Sequence, residues 1–225
     1  MHETVEKAIK QGGFTEPLAW ELFSAHGIPA PRCKLVKTQD EAVEAAEQIG
    51  YPVVLKIVSK DILHKSDAGG VAVKLADGPA VREAYDKILK NARAYAPDAT
   101  IDGILVCEML TQGVECIIGM LQDASFGPVM MFGLGGIFVE VLKDVAFRVL
   151  PLTKADALAM IEEIKGSALL MGARGQAKLD CDAMAELILK VASMVEANPQ
   201  IREIDINPCF IYEKGVMPAD ARIMF

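Results

Sequence analysis

The segment YPVVLKIVSKDILHKSDAGGVAVKL (51–75) decides the fold prediction, because it joins two strands through a long polar loop. Its first part, YPVVLKIV (51–58), is rich in β-branched residues and is a predicted strand, as is VAVKL (71–75). Lys56 lies inside the first run, where burying an ammonium is costly unless it meets an anion or water. Lys56 therefore either faces solvent from an edge strand or binds a phosphate group from a rigid strand.

The loop SKDILHKSDAGG (59–70) carries side chains suited to phosphate chemistry. Lys65 adds positive charge, Ser66 adds a hydroxyl donor, and Gly69 and Gly70 let backbone amides turn toward phosphate oxygens. The imidazole of His64 is a candidate base or nucleophile near neutral pH. A solvated turn would have the same composition, and the Walker A pattern G-x-x-x-x-G-K-[ST] does not occur in the sequence.

Outside this segment, hydrophobic periodicity and turn residues predict short elements along the whole chain. Helices are predicted at 15–26, 39–49, 79–95, 154–163, 166–171 and 180–197. Strands are predicted at 33–36, 101–110, 114–123, 127–136 and 145–152, followed by a β-meander at 202–223. The strands 101–110 and 114–123 are expected to pair through a turn at Gly113. This order predicts an α+β fold of two packed lobes, residues 1–108 and 109–225, rather than a Rossmann array.

Composition and charge exclude several classes of protein. The 225 residues are 52% hydrophobic and 24% charged, which excludes a disordered chain. The net charge of −8 leaves no basic face for nucleic acid and disfavours an anionic membrane surface. The five cysteines are widely spaced and, with three histidines, form no zinc-site pattern. The N-terminus lacks the apolar stretch of a signal peptide, so we expect a reducing, cytoplasmic location.

Two further regions carry charged or polar groups in a strand context. Glu108, Met109 and Leu110 end a predicted strand, where backbone groups and apolar side chains are expected to hold an adenine between the lobes, and Glu115 to accept the ribose hydroxyls. Gly133, Gly135 and Gly136 follow another strand, as in a phosphate-binding turn or a tight hairpin. Glu140 and Arg148 are charges among apolar residues and are candidates to pair with each other.

The C-terminal segment REIDINP (202–208) predicts a metal site. Alternation places Glu203, Asp205 and Asn207 on one face of a strand, and a following antiparallel strand would bring Asp220 beside Asn207. An amide oxygen, a carboxylate and waters suit Mg²⁺, which triphosphate chemistry requires. A polar face on an exposed sheet is the alternative.

The order of these motifs resembles the ATP-grasp fold and, more narrowly, the β subunits of ADP-forming acyl-CoA synthetases, relatives of succinyl-CoA synthetase. Four segments carry the resemblance: 51–71, MFGLGGIFVEVLKDVAFRVLPL (131–152), GARG (172–175) and EIDINP (203–208). The resemblance implies two α+β lobes clamping a nucleotide, with ATP or ADP and Mg²⁺ as cofactors. It also implies phosphoryl transfer to a histidine of a CoA-binding α subunit, interconverting acyl-CoA, ADP and phosphate with acid, CoA and ATP.

The resemblance also implies partners and roles. The expected assembly is an α2β2 heterotetramer in which phosphate and acyl-CoA bind mainly to α, since nothing in this sequence resembles a CoA-binding Rossmann domain. His64 would relay the phosphoryl group, Arg148 would contact it, and Lys56 would bind nucleotide phosphate.

The remaining expected nucleotide contacts are Lys65, Ser66, Gly69, Gly70, Glu108, Met109, Leu110 and Glu115, with Asn207 and Asp220 binding Mg²⁺. The family usually has threonine in place of Ser66, and the hydroxyl is kept.

Two alternatives stay open at this point. One is another ATP-grasp ligase, which joins a carboxylate to an amine through an acyl-phosphate and usually has a third, N-terminal lobe. The other is a non-catalytic nucleotide-binding regulatory subunit, which could dispense with His64 and the metal pair. Both of these features are present, which favours an enzyme.

Overall fold

A computed structural model describes residues 1–62, 64–136, 139, 141–175 and 177–225. These divide into two compact units. The inserted unit comprises Pro31–Thr111, and the terminal unit comprises Met1–Ala30 together with Gln112–Phe225.

The helices and strands follow the predicted order closely. The helices are α1 (Glu3–Gln11), α2 (Glu16–Ala25), α3 (Gln39–Ile49), α4 (Gly78–Tyr95), α5 (Lys154–Glu163), α6 (Ser167–Leu170) and α7 (Cys181–Ala197), with a 3₁₀ turn at Ala173–Gly175. The strands are β1 (Cys33–Val36), β2 (Val53–Val58), β3 (Val71–Leu75), β4 (Gly103–Glu108), β5 (Val114–Asp123), β6 (Gly127–Leu134), β7 (Val145–Val149), β8 (Glu203–Ile211), β9 (Val216–Pro218) and β10 (Arg222–Met224).

The inserted unit is an antiparallel sheet of order β1-β4-β2-β3 packed against two helices. The side chains of Thr38 and Asp77 accept backbone N–H groups at the starts of α3 and α4, which satisfies amides that have no partner within the helix. Leu55 and Ile57 of β2 join the core formed with these helices. The strand β2 lies between β4 and β3, and all six of its residues are buried.

The terminal unit has a six-stranded antiparallel sheet of order β10-β8-β5-β6-β7, with β9 also paired to β8. Alternate residues of β5, β6 and β8, such as Ile118, Met130 and Ile206, are buried on one face, and α5 packs against β6 and β7. The intervening residues form a second face, which we call the open face. Its more exposed members are Glu115, Leu121, Phe147, Glu203, Asp205 and Asn207.

The structure corrects the predicted division of the chain. Residues 1–30 belong to the terminal unit and not to the first lobe, because α2 packs near β10. The His2 amide also donates to Asn198 Oδ1 over 2.9 Å, and Lys190 Nζ donates to the Gly27 carbonyl over 2.7 Å. The helix α1 in this segment was not predicted from its polar sequence.

The predicted hairpin between β4 and β5 is wrong. β4 pairs with β1 and β2, whereas β5 pairs with β6 and β8, so each strand has both edges occupied within its own sheet. Residues 109–113 therefore connect the two units instead of closing a turn. In the part of the chain that the structure describes, no helix combines the length and apolarity needed to cross a membrane.

Candidate functional site

Lys56 is buried on the central strand β2 of the inserted unit. It pairs across the sheet with Val71 and Leu105, and only 7% of its surface is exposed. Its neighbours Leu55 and Ile57 belong to the core formed with α3 and α4, so alternation directs Lys56 to the other face of the sheet. The edge-strand alternative is therefore wrong, and a buried ammonium on a central strand suits an anionic ligand.

The glycines of the loop hold it against its surroundings, Gly70 against Ile57 of β2 and Gly69 against Asn91 of α4. The Gly69 amide donates to the Ser66 carbonyl over 3.0 Å, and the Gly70 amide donates to the Lys65 carbonyl over 2.8 Å. A Cβ on Gly70 would lie 2.5 Å from Ile57 Cγ2, so only glycine fits there. Both amides are engaged within the loop, unlike the phosphate cradle expected from the sequence. Among the loop's polar side chains, those of His64 and Ser66 are exposed and that of Lys65 is half-buried.

Glu108 is bound to a residue that sequence analysis did not identify. Its carboxylate accepts from the Arg32 amide over 2.8 Å and from Arg32 Nε over 2.9 Å. The Glu108 amide donates back to the Arg32 carbonyl over 2.9 Å, and the Met109 amide donates to the Pro52 carbonyl over 3.3 Å. The end of β4, directly before the half-buried Met109 and Leu110, is thus held from two neighbouring segments.

In the terminal unit, the glycine-rich segment ends against Glu115. The Gly135 amide donates to the Glu115 carbonyl over 2.7 Å, and a Cβ on Gly135 would lie 2.9 Å from Glu115 Cβ. Gly136 has a φ of +60°, which favours glycine. The structure therefore brings Glu115 and this segment together. Glu140, the other charge predicted here, lies outside the described residues.

Asn207 and Asp220 face each other across neighbouring segments. The ladder of β8 with β9 pairs Cys209 with Pro218, and the ladder of β8 with β10 pairs Asp205 with Arg222. Both ladders share one register, and the Ala219 amide donates to the Pro208 carbonyl over 2.9 Å between them. Asp220 consequently lies opposite Asn207, as the alternation predicted.

The chemistry of this pair fits a magnesium ion. Among the described residues there is no cluster of three or more His, Cys, Asp or Glu side chains that could enclose a metal by themselves. Mg²⁺ does not need one, since it keeps several waters and takes one or two carboxylate or amide oxygens along with substrate phosphates. Glu203, nearby on β8, is already paired with Arg222 Nη2 at 2.8 Å.

Arg148 is placed differently from the expectation. It pairs across the sheet with the fully buried Met130, which puts its side chain on the helix-covered face. There its Nη2 lies 2.6 Å from Glu163 Oε2 on α5. Asn207 belongs to the open face, so the sheet separates the Arg148 guanidinium from the metal pair. The expected role in contacting the phosphoryl group has no support from this position.

Most of the cysteines are buried thiols. None of the five forms a disulfide, and Cys107, Cys116, Cys181 and Cys209 are buried, as the apolar runs around Cys107 and Cys116 predicted. Burial raises the pKa of Cys209 to about 12 and also raises that of Cys116 well above its usual value. Thiols with such pKa values are not nucleophiles near neutral pH, so Cys116 and Cys209 are not candidates for the chemistry.

The features described so far define a domain of the ATP-grasp class. They are two α+β units, a buried lysine on a central strand and an Asn–Asp pair on an open sheet face. A model described as ATP-grasp domain matches residues 7–225. The β subunit of acetate–CoA ligase (ADP-forming) I from Pyrococcus furiosus is 49% identical over 223 residues, covering 99% of this chain and 96% of that one. The chain therefore belongs to the ATP-grasp family of β subunits of ADP-forming acetate–CoA ligases.

Solved structures agree with this placement. The acetyl-coenzyme A synthetase 1 of Ca. Korarchaeum cryptofilum, in complex with coenzyme A, Ca-AMPCP and HgCl⁺, matches with a TM-score of 0.94 and 45% identity, over 98% of this chain and 97% of that chain. Another structure of that enzyme contains coenzyme A and Mg-AMPPCP, with its phosphohistidine segment pointing towards the nucleotide-binding site. It matches with a TM-score of 0.85 and 42% identity, over 99% and 98% of the two chains. The predicted fold and family are confirmed.

Proposed function

We propose that the chain is the nucleotide-binding subunit of an ADP-forming acid–CoA ligase. It would transfer a phosphoryl group from ATP to a histidine of a CoA-binding partner, or from that phosphohistidine to ADP. In this way acyl-CoA, ADP and phosphate would be interconverted with acid, CoA and ATP. The observation that carries this proposal is the identity of 49% to a named β subunit across nearly the full length of both chains.

The chemistry of each proposed site residue determines its role in phosphoryl transfer. Phosphoryl transfer depends on positioning and on neutralising charge more than on covalent chemistry. Lys56 supplies a fixed positive charge to the nucleotide phosphates, and Lys65 and Ser66 add further donors from the loop. Asn207 and Asp220 would hold Mg²⁺, which supplies charge neutralisation on the phosphate oxygens when bound.

Other residues are assigned to binding the nucleotide base and to relaying the phosphoryl group. Glu108, Met109 and Leu110 at the end of β4 would hold the adenine, and the exposed carboxylate of Glu115 would accept the ribose hydroxyls. His64 is exposed on the loop and would pass the phosphoryl group to the partner's histidine. Gly70 contributes by fixing the loop to β2, and Gly69 by fixing it to Asn91 of α4.

The partner is proposed to be a CoA-binding α subunit in an α2β2 assembly, with phosphate and acyl-CoA bound mainly by α. Exposed apolar side chains on the terminal unit support such a partner, since Leu121, Phe126 and Phe147 are 58%, 68% and 54% exposed. Five cysteines without a disulfide suit the reducing cytoplasm.

The test is transfer of label from γ-³²P-ATP in the presence of Mg²⁺ and the α subunit encoded in the same genome. We expect acid-labile phosphohistidine on α, and no label on either chain would overturn the function. His64→Ala should block transfer while ATP affinity stays within about twofold, and His2→Ala, which removes an imidazole elsewhere, should not. Turnover by His64→Ala at the unaltered rate would remove only the relay role.

A further inference from the structure

We propose that Arg32 is a positioning residue for the nucleotide base, acting through Glu108. The proposal rests on the function proposed above. Arg32 lies just before β1 and holds both oxygens of the Glu108 carboxylate, through its amide at 2.8 Å and its Nε at 2.9 Å. Its carbonyl also accepts from the Glu108 amide over 2.9 Å. Three hydrogen bonds thus close the last rung between β1 and β4.

This rung sets where the chain goes next. Met109 and Leu110 follow Glu108 directly, and the Met109 amide is held by the Pro52 carbonyl from the β2 side. Arg32 on one side and Pro52 on the other fix the direction in which β4 ends. A base held by the groups at 108–110 depends on that direction, because misplacing a hydrogen-bonding group by a fraction of an ångström weakens the contact.

The pair contributes more to geometry than to global stability. The side chain of Arg32 is 66% exposed and that of Glu108 is 22% exposed. Ion pairs with one exposed partner add little to the free energy of unfolding, because solvent screens them. A two-point contact of Nε and the amide with one carboxylate still restricts its orientation, which is the property that a binding site needs.

Arg32 is also distinct from the residues assigned to the phosphates. Lys56, Lys65 and Ser66 lie on β2 and on the loop that follows it. The contacts of Arg32 given above are instead with the end of β4. Removing its guanidinium should therefore weaken recognition of the base and leave recognition of a bare polyphosphate unchanged.

The experiment compares ATP with inorganic tripolyphosphate, which has the phosphates but no base, by calorimetric titration of the chain with Mg²⁺. We expect Arg32→Ala to weaken ATP binding about tenfold and tripolyphosphate binding less than twofold, with a midpoint of thermal unfolding close to that of the unaltered chain. Arg82→Ala, which removes an exposed arginine paired with Asp40 in the same unit, should change neither affinity.

The Arg32→Ala/Glu108→Ala double variant should bind ATP no more weakly than whichever single variant has the lower ATP affinity, because both changes remove the same contact. Unchanged ATP affinity in Arg32→Ala, or equal losses for both ligands, would overturn the proposal while leaving the function intact. Failure of the unaltered chain to bind ATP would overturn both.

Discussion

Asn207 of β8 lies directly opposite Asp220 in the segment between β9 and β10. The ladders on either side keep one register, and the Ala219 amide closes on the Pro208 carbonyl between them. β8 also carries a bulge here, since Ile117 of β5 faces the two residues Asn207 and Pro208. The bulge shifts the register of β8 with β5 only, and the unbroken register with β9 and β10 keeps Asn207 opposite Asp220.

The metal pair predicts a magnesium-dependent loss of nucleotide binding. In Asp220→Ala we expect ATP affinity in Mg²⁺ to fall at least tenfold, because one hard oxygen ligand is lost. In excess EDTA the same variant should match the unaltered chain. Calorimetric titration measures both, with Glu213→Ala in the neighbouring turn as the exposed control. An undiminished Mg²⁺ effect in Asp220→Ala would contradict this assignment.

The buried lysine predicts a loss of affinity without a loss of folding. Lys56→Met keeps the length of the side chain and removes its charge, so ATP affinity should fall at least tenfold. The free energy of unfolding without nucleotide should fall by no more than about 1 kcal/mol, since the replacement conserves volume in an apolar strand. Titration and urea unfolding test the two parts, and Lys34→Met on the exposed edge strand β1 serves as the control. Normal ATP binding by Lys56→Met would remove Lys56 from the site.

The ion pair of Arg148 predicts a structural effect. Its partner Glu163 lies on α5, on the helix-covered face of the sheet. Arg148→Ala should therefore lower the free energy of unfolding by about 0.5–1 kcal/mol, the usual size for a partly exposed pair. The rate of phosphoryl transfer should stay within about twofold. A hundredfold slower transfer by a folded variant would instead support the phosphoryl contact expected from the sequence.

Asp180 predicts a dependence of stability on pH. Its carboxylate accepts from the Gly215 amide over 2.8 Å and from the Ala183 amide over 3.0 Å, and these bonds lower its pKa below the ordinary 3.8. The Asp180 carboxylate binds a proton more tightly in the unfolded chain than in the folded one. Its contribution to the free energy of unfolding is therefore complete above the ordinary pKa, and it is lost as the pH falls through the lowered pKa of the folded state. Asp180→Ala should cost about 1 kcal/mol at pH 7, as a lost helix cap does. Urea unfolding should show that difference shrinking below pH 4, and a constant difference would contradict it.

Two pairs of cysteines predict different responses to oxidation. Cys33 faces Cys107, next to the rung in which the Glu108 amide bonds the Arg32 carbonyl. Their rung is therefore the non-hydrogen-bonded kind, with Cα atoms about 4.5 Å apart, which a disulfide can span. A hydroperoxide, taking two electrons as the two thiols lose their hydrogens, should join this pair, because Cys33 is partly exposed even though Cys107 is buried. Cys116 and Cys209 also face each other but are fully buried and should stay reduced. Peptide mapping without reductant distinguishes the pairs, and the reverse order of reaction would contradict the register.

The sequence by itself determined the local elements and the family. Period-two and helical patterns, caps and glycine stops located β2, α3 and the other segments, because these signals lie within a few neighbouring residues. The order of the strand lysine, the glycine-rich loop and EIDINP indicated the ATP-grasp family before any fold was known. The alternation of side chains also predicted that Asn207 shares a face with Glu203 and Asp205, since the period of a single strand is enough for that prediction.

Only the tertiary structure decided which distant groups meet. Arg32 and Glu108 are 76 residues apart, and no local pattern links them. The pairing of Arg148 with Glu163, the burial of Lys56 on a central strand and the separation of β4 from β5 all depend on which strands share a sheet. Residues 1–30 likewise joined the terminal unit through contacts with the far end of the chain. Strand order is set by the packing of the whole chain, whereas the local sequence encodes only each strand's own period.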